Sequence, residues 1–98
     1  MYQLVLKPRA IQMQKDAYDW YESQKSGLGE LFLKELDNNY LKLQSFPTAY
    51  SKGEGKYRHS QLKKFPYIIV FKIINTQVLV YAVFHTSRNP KDKLRRNL

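Results

Sequence analysis

The sequence predicts an α+β domain in which a helical hairpin packs on one face of a curved, mainly antiparallel sheet. Apolar residues recur at helical spacing in the first half of the chain, and three segments of the second half are rich in branched and aromatic residues. Glycine, proline or asparagine separates these segments. The chain has the length of one domain, so we expect residues 1–98 to form a single unit.

The first half is predicted to contain one strand and two helices. Residues 2–6 read as a strand, and Pro8 stands where proline is tolerated, at the opening of a helix over roughly residues 9–24. A break at residues 26–29 precedes a second helix, which ends before Phe46 and Pro47. The first helix should bury Trp20 between the hairpin and the sheet. Its apolar stripe consists of Ala10, Met13, Ala17, Trp20, Tyr21 and Gln24, and that of the second helix of Leu28, Phe32, Leu36, Tyr40 and Leu43.

The second half is predicted to contain a loop, three strands and a tail. Residues 48–55 form the loop, and residues 56–62, 67–74 and 77–85 read as strands. Asn75 and Thr76 form a tight turn between the last two strands. A short basic segment, residues 91–98, follows as a tail or one to two turns of helix. The element order is therefore β-α-α-β-β-β with a carboxy-terminal extension.

The net positive charge lies entirely in the second half of the sequence. Residues 1–50 contain six basic and six acidic side chains, whereas residues 51–98 contain eleven basic and two acidic ones and account for the net charge of +9. Such a field favours a polyanionic or acidic partner.

Composition excludes several classes of protein. There is no cysteine, and only two histidines are present, so we expect no disulfide, no metal site and no cofactor. No signal segment and no apolar run long enough for a membrane span occurs, so we expect a cytoplasmic protein without a membrane partner.

Arg58 is the first candidate site residue, with three lysines nearby in sequence. Strand alternation places Lys56, Arg58 and Ser60 on one face, and Lys63 and Lys64 follow. These groups would bind phosphates or acidic side chains, since the arginine donor fork suits both. Alternatively, the charges protect an edge strand from aggregation.

His85 ends the last predicted strand, three residues before Arg88. Such a pair could act at a phosphodiester, with the histidine as acid or base and the arginine as charge stabiliser. The alternatives are a hydrogen-bonded structural histidine and plain anion binding. The tail could bind a nucleic-acid backbone or an acidic segment, or could simply keep the protein soluble. Its basic residues are Arg88, Lys91, Lys93, Arg95 and Arg96.

Four stretches in this order resemble the RelE/ParE superfamily of toxins from type II toxin–antitoxin (plasmid stabilisation) systems. They are Ala17-Tyr18-Asp19-Trp20-Tyr21, then Gly27-Leu28-Gly29 with Phe32 and Leu36, then Arg58 before Phe65-Pro66-Tyr67, and last Ala82-Val83-Phe84-His85 with Arg88 and Pro90. The resemblance implies a RelE-like fold and an acidic antitoxin that wraps the toxin.

The resemblance implies one of two activities. ParE-like members are binding proteins that inhibit DNA gyrase, and His85 with Arg88 resembles a pattern frequent among them. RelE-like members cleave mRNA on the ribosome without metal, and in that case Arg58, His85 and Arg88 would be catalytic. No histidine follows His85 and no tyrosine follows Tyr81, so the terminal acid or base role could fall only to His85. We expect the ParE-like activity, with the ribonuclease as the alternative.

Overall fold

The computed structural model describes residues 1–50 and 55–87 of the chain. The elements in chain order are β1 (Gln3–Leu6), α1 (Pro8–Gln24), α2 (Leu28–Ser45), a single 3₁₀ turn (Pro47–Ala49), β2 (Arg58–Gln61), β3 (Tyr67–Ile74) and β4 (Gln77–His85). This is the α+β arrangement that the sequence predicts. The tail residues Arg88, Lys91, Lys93, Arg95 and Arg96, and the helix predicted over residues 91–98, lie outside the described residues.

The strands form one sheet in the order β1-β4-β3-β2. β1 lies parallel to β4, while β3 pairs antiparallel with both β4 and β2. Asn75 adopts a positive φ of 55° in the turn between β3 and β4, a conformation that asparagine tolerates better than most residues. A register shift at Val70 and Phe71 marks a bulge, which bends the strand pair locally. The sheet is therefore mixed but mainly antiparallel, with β2 at one edge.

The hairpin between the two helices is held by a carboxylate of α1. Glu22 accepts the backbone N–H of Gly27 at 3.0 Å and that of Gly29 at 2.8 Å, which satisfies donors that the start of α2 leaves without intrahelical partners. Gly27 has a φ of 89°, which favours glycine. At Gly29 a Cβ atom would lie 2.8 Å from the carbonyl oxygen of Tyr18, so the close contact between the helices requires glycine there.

An aromatic cluster joins both helices to the sheet. Tyr21 of α1 and Phe32 of α2 have ring centroids 5.4 Å apart. Phe65, in the turn before β3, lies 4.9 Å from the Tyr21 ring and 5.3 Å from the Phe32 ring. Tyr67 of β3 lies 5.1 Å from Phe32. These edge-to-face and tilted contacts add to the burial of large apolar surfaces. The rings thus set the position of the hairpin on the sheet.

Buried side chains line both faces of the sheet. The face toward the helices carries the main core, including Ile69, Phe71, Val78 and Val80. Val70, Ala82 and Phe84 are also buried but form a second cluster on the opposite face. The continuously apolar sequence of β3 reflects this burial on two faces and its place between β2 and β4.

The expectation that Trp20 is buried is wrong. Its side chain is 51% exposed, whereas Ala10, Ala17 and Tyr21 form the buried line of α1. At 3.6 residues per turn, Trp20 lies about 80° around the helix from that line, at the rim of the apolar stripe. Its ring packs edge-to-face on Tyr21, with centroids 5.1 Å apart. Helical spacing placed Trp20 near the core but did not distinguish the rim from the centre.

Two smaller differences concern the segment between α2 and β3. The 3₁₀ turn Pro47–Ala49 begins where the sequence predicts the start of a loop, and it buries Pro47. The strand predicted over residues 56–62 is shorter, because Lys56 lies in a turn and β2 begins at Arg58. Lys56 therefore does not share a strand face with Arg58 and Ser60.

Gly29→Ala should destabilise the fold, because the added methyl group would overlap Tyr18 and the Glu22 carboxylate. Overpacking of this kind typically costs about 1 to 3 kcal/mol of unfolding free energy. Ser26→Ala, at an exposed position in the same connection, is the matched control and should change stability by less than about 0.5 kcal/mol. Urea unfolding followed by circular dichroism measures both. Equal stabilities of the two variants would contradict the close-contact role of Gly29.

Truncation of Trp20 should cost far less than truncation of Phe32. Phe32 is fully buried, so Phe32→Ala should lower the free energy of unfolding by about 3 to 5 kcal/mol. Trp20→Ala removes a half-exposed ring and should cost about 1 to 2 kcal/mol. Thermal unfolding of both variants, followed by circular dichroism, compares them directly. A larger loss for Trp20→Ala would show that the ring lies in the core.

Candidate functional site

The predicted site residues fall into two separate regions of the sheet, and the first is built around Arg58. Arg58 pairs with Phe71, whose side chain is in the core on the helix side, and cross-strand partners project to the same face. The Arg58 guanidinium accordingly donates from Nη1 to the carbonyl oxygen of Tyr50 at 2.7 Å. This bond ties β2 to the segment after α2. The Arg58 side chain is half-buried, and its hydrogen bond to Tyr50 is a structural contact.

Ser60 is buried two residues farther along the same face. Its hydroxyl oxygen lies 3.2 Å from Oδ1 of Asn39 on α2 and donates to it. The Asn39 amide nitrogen donates in turn to the carbonyl oxygen of Glu35 at 2.9 Å. Arg58 and Ser60 therefore share a face, as strand alternation predicts, but that face points toward the helices. Their side chains therefore do not form an exposed, positively charged surface for an anion.

Lys63 and Lys64 lie in the turn between β2 and β3, and Glu35 of α2 fixes that turn. The Glu35 carboxylate accepts the backbone N–H of Lys63 and, at 3.0 Å, the backbone N–H of Lys64. Both lysine side chains are exposed. The turn thus presents two ammonium groups beside α2, as a result of a contact that the sequence pattern does not reveal.

The second region surrounds His85 at the end of β4. The imidazole ring packs edge-to-face on Tyr67, with centroids 5.2 Å apart. Its Nδ1 lies 3.2 Å from the backbone nitrogen of Ser87 and 2.8 Å from the Ser87 hydroxyl oxygen. A backbone N–H can only donate, so Nδ1 accepts in this arrangement. A neutral ring would therefore carry its proton on Nε2.

A small cavity opens beside His85. Its volume is about 380 Å³, and α1 contributes Asp16 and the exposed Trp20 while β3 contributes Tyr67. The cavity is lined by an imidazole, a carboxylate and three aromatic residues, the third being Phe84. Such a combination can bind an aromatic or polar side chain, and the histidine and carboxylate are groups capable of proton transfer.

Arg58 and His85 are not brought together. Arg58 lies opposite Phe71 and His85 lies opposite Tyr67, so the two residues are on strands to either side of β3 and four positions apart along it. Standard strand dimensions place their Cα atoms roughly 16 Å apart. Groups acting on one phosphodiester must each lie within about 3 Å of it. Because Arg58 is directed to Tyr50, this geometry does not assemble both residues around one reacting bond.

Several cations that sequence reasoning left aside also have defined positions. Lys34 and Lys42 of α2 line a groove together with Lys63 and Lys64. Their spacing on the polar side of α2 could have suggested a shared face. On the sheet face away from the helices, the Lys72 ammonium lies 4.4 Å from the Tyr57 ring centroid and 5.6 Å from that of Tyr81. In the sequence, the only indication of this contact is a single lysine, Lys72, within the apolar sequence of β3.

Neither a membrane span nor a metal cluster is found in the described part of the chain. No helix within residues 1–50 and 55–87 is long and apolar enough to cross a bilayer. Among the same residues, no group of three His, Cys, Asp or Glu side chains lies close enough together to hold a metal ion.

Comparisons with known proteins identify the fold and the family. The structure is similar to the chromosomal ParDE toxin–antitoxin system of P. aeruginosa, with a TM-score of 0.77 and 15% identity over 87% of this chain and 96% of the other. It is similar to the isolated E. coli RelE toxin, with a TM-score of 0.67, 20% identity and full coverage of both chains. It is also similar to the intact E. coli RelBE complex, with a TM-score of 0.64 and 19% identity over 85% of this chain and 94% of the other.

At these identities, the solved structures establish the fold alone. Comparison with curated protein sequences gives no significant match. The model of one sequence family, described as the ParE toxin of the type II toxin–antitoxin system parDE, matches residues 4–90. That range includes both helices, strands β2 to β4, all of β1 except Gln3, and both regions described above. The chain therefore belongs to the ParE toxin family of type II toxin–antitoxin systems.

Proposed function

We propose that this protein inhibits DNA gyrase by binding it and that an acidic antitoxin neutralises it. The match to the ParE toxin family over residues 4–90 is the observation that carries this proposal. The net charge of +9 is consistent with recognition of acidic surfaces by the toxin. Gyrase acts in the cytoplasm, so the proposal places the protein there as well.

The arrangement of the site residues supports binding over catalysis. Arg58 is engaged with the Tyr50 carbonyl, and strand register separates it from His85 by roughly 16 Å. Electrostatic stabilisation of a developing phosphorane needs donors directed at a single position. Binding of a large protein partner has no such requirement, because contacts can be distributed over a wide surface.

A metal-independent, ribosome-dependent mRNA endoribonuclease is the second candidate. The geometry around His85 is the observation that favours it, since Ser87 orients the ring and the Asp16 carboxylate lines the same cavity. In that mechanism a 2′-hydroxyl attacks the adjacent phosphate and displaces the 5′-oxygen of the next nucleotide, and His85 would accept the hydroxyl proton or protonate the leaving oxygen. Arg88 would stabilise the developing charge, although it lies outside the described residues.

The experiment that separates these functions uses the same proteins in two assays. Wild type, His85→Gln and a double charge reversal, Arg95→Glu with Arg96→Glu, are each tested for inhibition of DNA supercoiling by gyrase and for cleavage of message on translating ribosomes. Lys25→Glu, an exposed single charge reversal between the helices, serves as the control for a change of surface charge elsewhere. Circular dichroism confirms that all variants are folded.

We expect wild type to block supercoiling and to leave ribosome-bound message intact. His85→Gln should change inhibition by less than about twofold, while the double reversal should weaken it by about tenfold or more, because it reverses two of the basic charges that we propose contact gyrase. Cleavage of message that falls by about 100-fold in His85→Gln would instead establish the ribonuclease, since proton transfer typically contributes at least that much.

A further inference from the structure

Trp20 is a large aromatic side chain that the core does not bury. It is 51% exposed, while the adjacent Tyr21 is buried. Its ring lies against Tyr21 on one side and borders the cavity beside His85 on another. Tryptophan is enriched in binding sites, because it offers a large contact area at little conformational cost. The position of Trp20 therefore indicates that this cavity binds a ligand.

Aromatic rings and one carboxylate line the cavity. Trp20 belongs to α1, Tyr67 begins β3, and Phe84 lies near the end of β4, so three separate elements contribute the rings. Asp16 lies one turn before Trp20, which places the carboxylate and the indole on the same side of α1. The faces of aromatic rings carry partial negative charge and attract cations, as a carboxylate does. This lining therefore suits a cationic ligand.

The Asp16 carboxylate is available to such a ligand. It accepts a hydrogen bond from the Gln12 amide at 2.8 Å, which uses one of its several acceptor positions. The next carboxylate along α1, Asp19, is instead paired with the Lys15 ammonium at 2.7 Å. Within the described part of the chain, Asp16 has no ion pair of this kind. Its negative charge is therefore not neutralised by a neighbouring cation there.

A second aromatic pair of the same protein shows the contrast. Tyr57 and Tyr81 have ring centroids 5.5 Å apart, and the Lys72 ammonium lies 4.4 Å from the first and 5.6 Å from the second. In that place the chain supplies its own cation. The described residues that line the cavity beside His85 include no lysine or arginine. A ligand would therefore supply the cation at this cavity.

His85 does not reverse this preference. Its Nδ1 accepts the backbone N–H of Ser87, an arrangement that a neutral ring allows and a protonated ring does not. A neutral imidazole adds no positive charge to the cavity. The charged group among the described lining residues is then the Asp16 carboxylate.

An arginine side chain fits this lining better than a lysine side chain. A planar guanidinium stacks on an aromatic ring and can donate two parallel hydrogen bonds to a carboxylate, whereas an ammonium group acts as a point charge. The cavity volume of about 380 Å³ is within the range of ligand sites, which is roughly 300 to 1,000 Å³.

We propose that the cavity beside His85 binds an arginine side chain of a partner protein. The guanidinium would stack on the Trp20 ring and donate to the Asp16 carboxylate. The inference goes beyond the proposed function, because it assigns a class of ligand to this cavity whatever the target of the toxin is. It predicts that a partner of this basic protein presents a cation as well as acidic groups.

Nuclear magnetic resonance of the isotope-labelled full chain tests the proposal. Trp20 is the only tryptophan, so its indole N–H gives a single signal that reports on the cavity. The probe is a blocked glycine–arginine–glycine peptide, titrated at constant ionic strength and about pH 8, where imidazoles are usually neutral. We expect a saturable shift with a dissociation constant of about 1 to 10 mM, since one cation–π contact and one ion pair bind weakly. The same peptide with citrulline in place of arginine lacks the charge and should give no saturable shift.

Matched variants test the two groups that would hold the guanidinium. Asp16→Asn should raise the dissociation constant by about fivefold or more. Asp19→Asn makes the same change outside the described lining, at a carboxylate that Lys15 already engages, and should leave the affinity within about twofold. Trp20→Leu, followed through the backbone amide of His85, should also raise the constant by about fivefold or more. All three positions are exposed, so the fold should persist.

Three results would each overturn the proposal. They are the absence of a saturable indole shift up to about 50 mM peptide, equal binding of the citrulline peptide, and equal weakening by Asp16→Asn and Asp19→Asn. Occupation of the cavity by another part of the same chain would give the first of these results. Neither gyrase nor ribosome is present, so failure of this test leaves the proposed function standing, and success does not depend on it.

Discussion

The contact on which the rest of the structure depends is the aromatic cluster of Tyr21, Phe32, Phe65 and Tyr67. It joins α1, α2, the turn before β3 and β3 itself, with ring centroids 4.9 to 6.1 Å apart. Tyr67 also supports the His85 ring. The region around His85 therefore takes its position from this cluster. If the rings were removed, the helical hairpin would lose the apolar surface that fixes its position on the sheet.

Two carboxylates extend this arrangement to the surface. Glu22 accepts backbone N–H groups at the start of α2, and Glu35 accepts those of the turn that carries Lys63 and Lys64. Both come from the half of the chain that is neutral by sequence. Because backbone donors already engage the Glu35 carboxylate, fewer of its acceptor sites remain for a ligand at the surface between α2 and β2.

Sequence periodicity was sufficient for the fold but not for the site. The helical stripes identify α1 and α2, and the branched, apolar sequences identify β3 and β4, since burial imposes those patterns directly. Trp20 was misplaced because helical spacing does not separate the rim of a stripe from its centre. The partners of Arg58 and Glu35 could not be predicted, since Tyr50 and the turn at Lys63 approach them only in the folded chain. The groove was missed for the same reason.

We propose that this toxin acts by binding a partner and not by catalytic turnover. The most direct test of this proposal is a titration of the purified protein into gyrase, with complex formation measured by sedimentation and supercoiling measured on the same samples. We expect a complex of fixed molar ratio, with inhibition proportional to the fraction of gyrase bound. Complete inhibition at a small fraction of one molar equivalent, or inhibition without any complex, would contradict it.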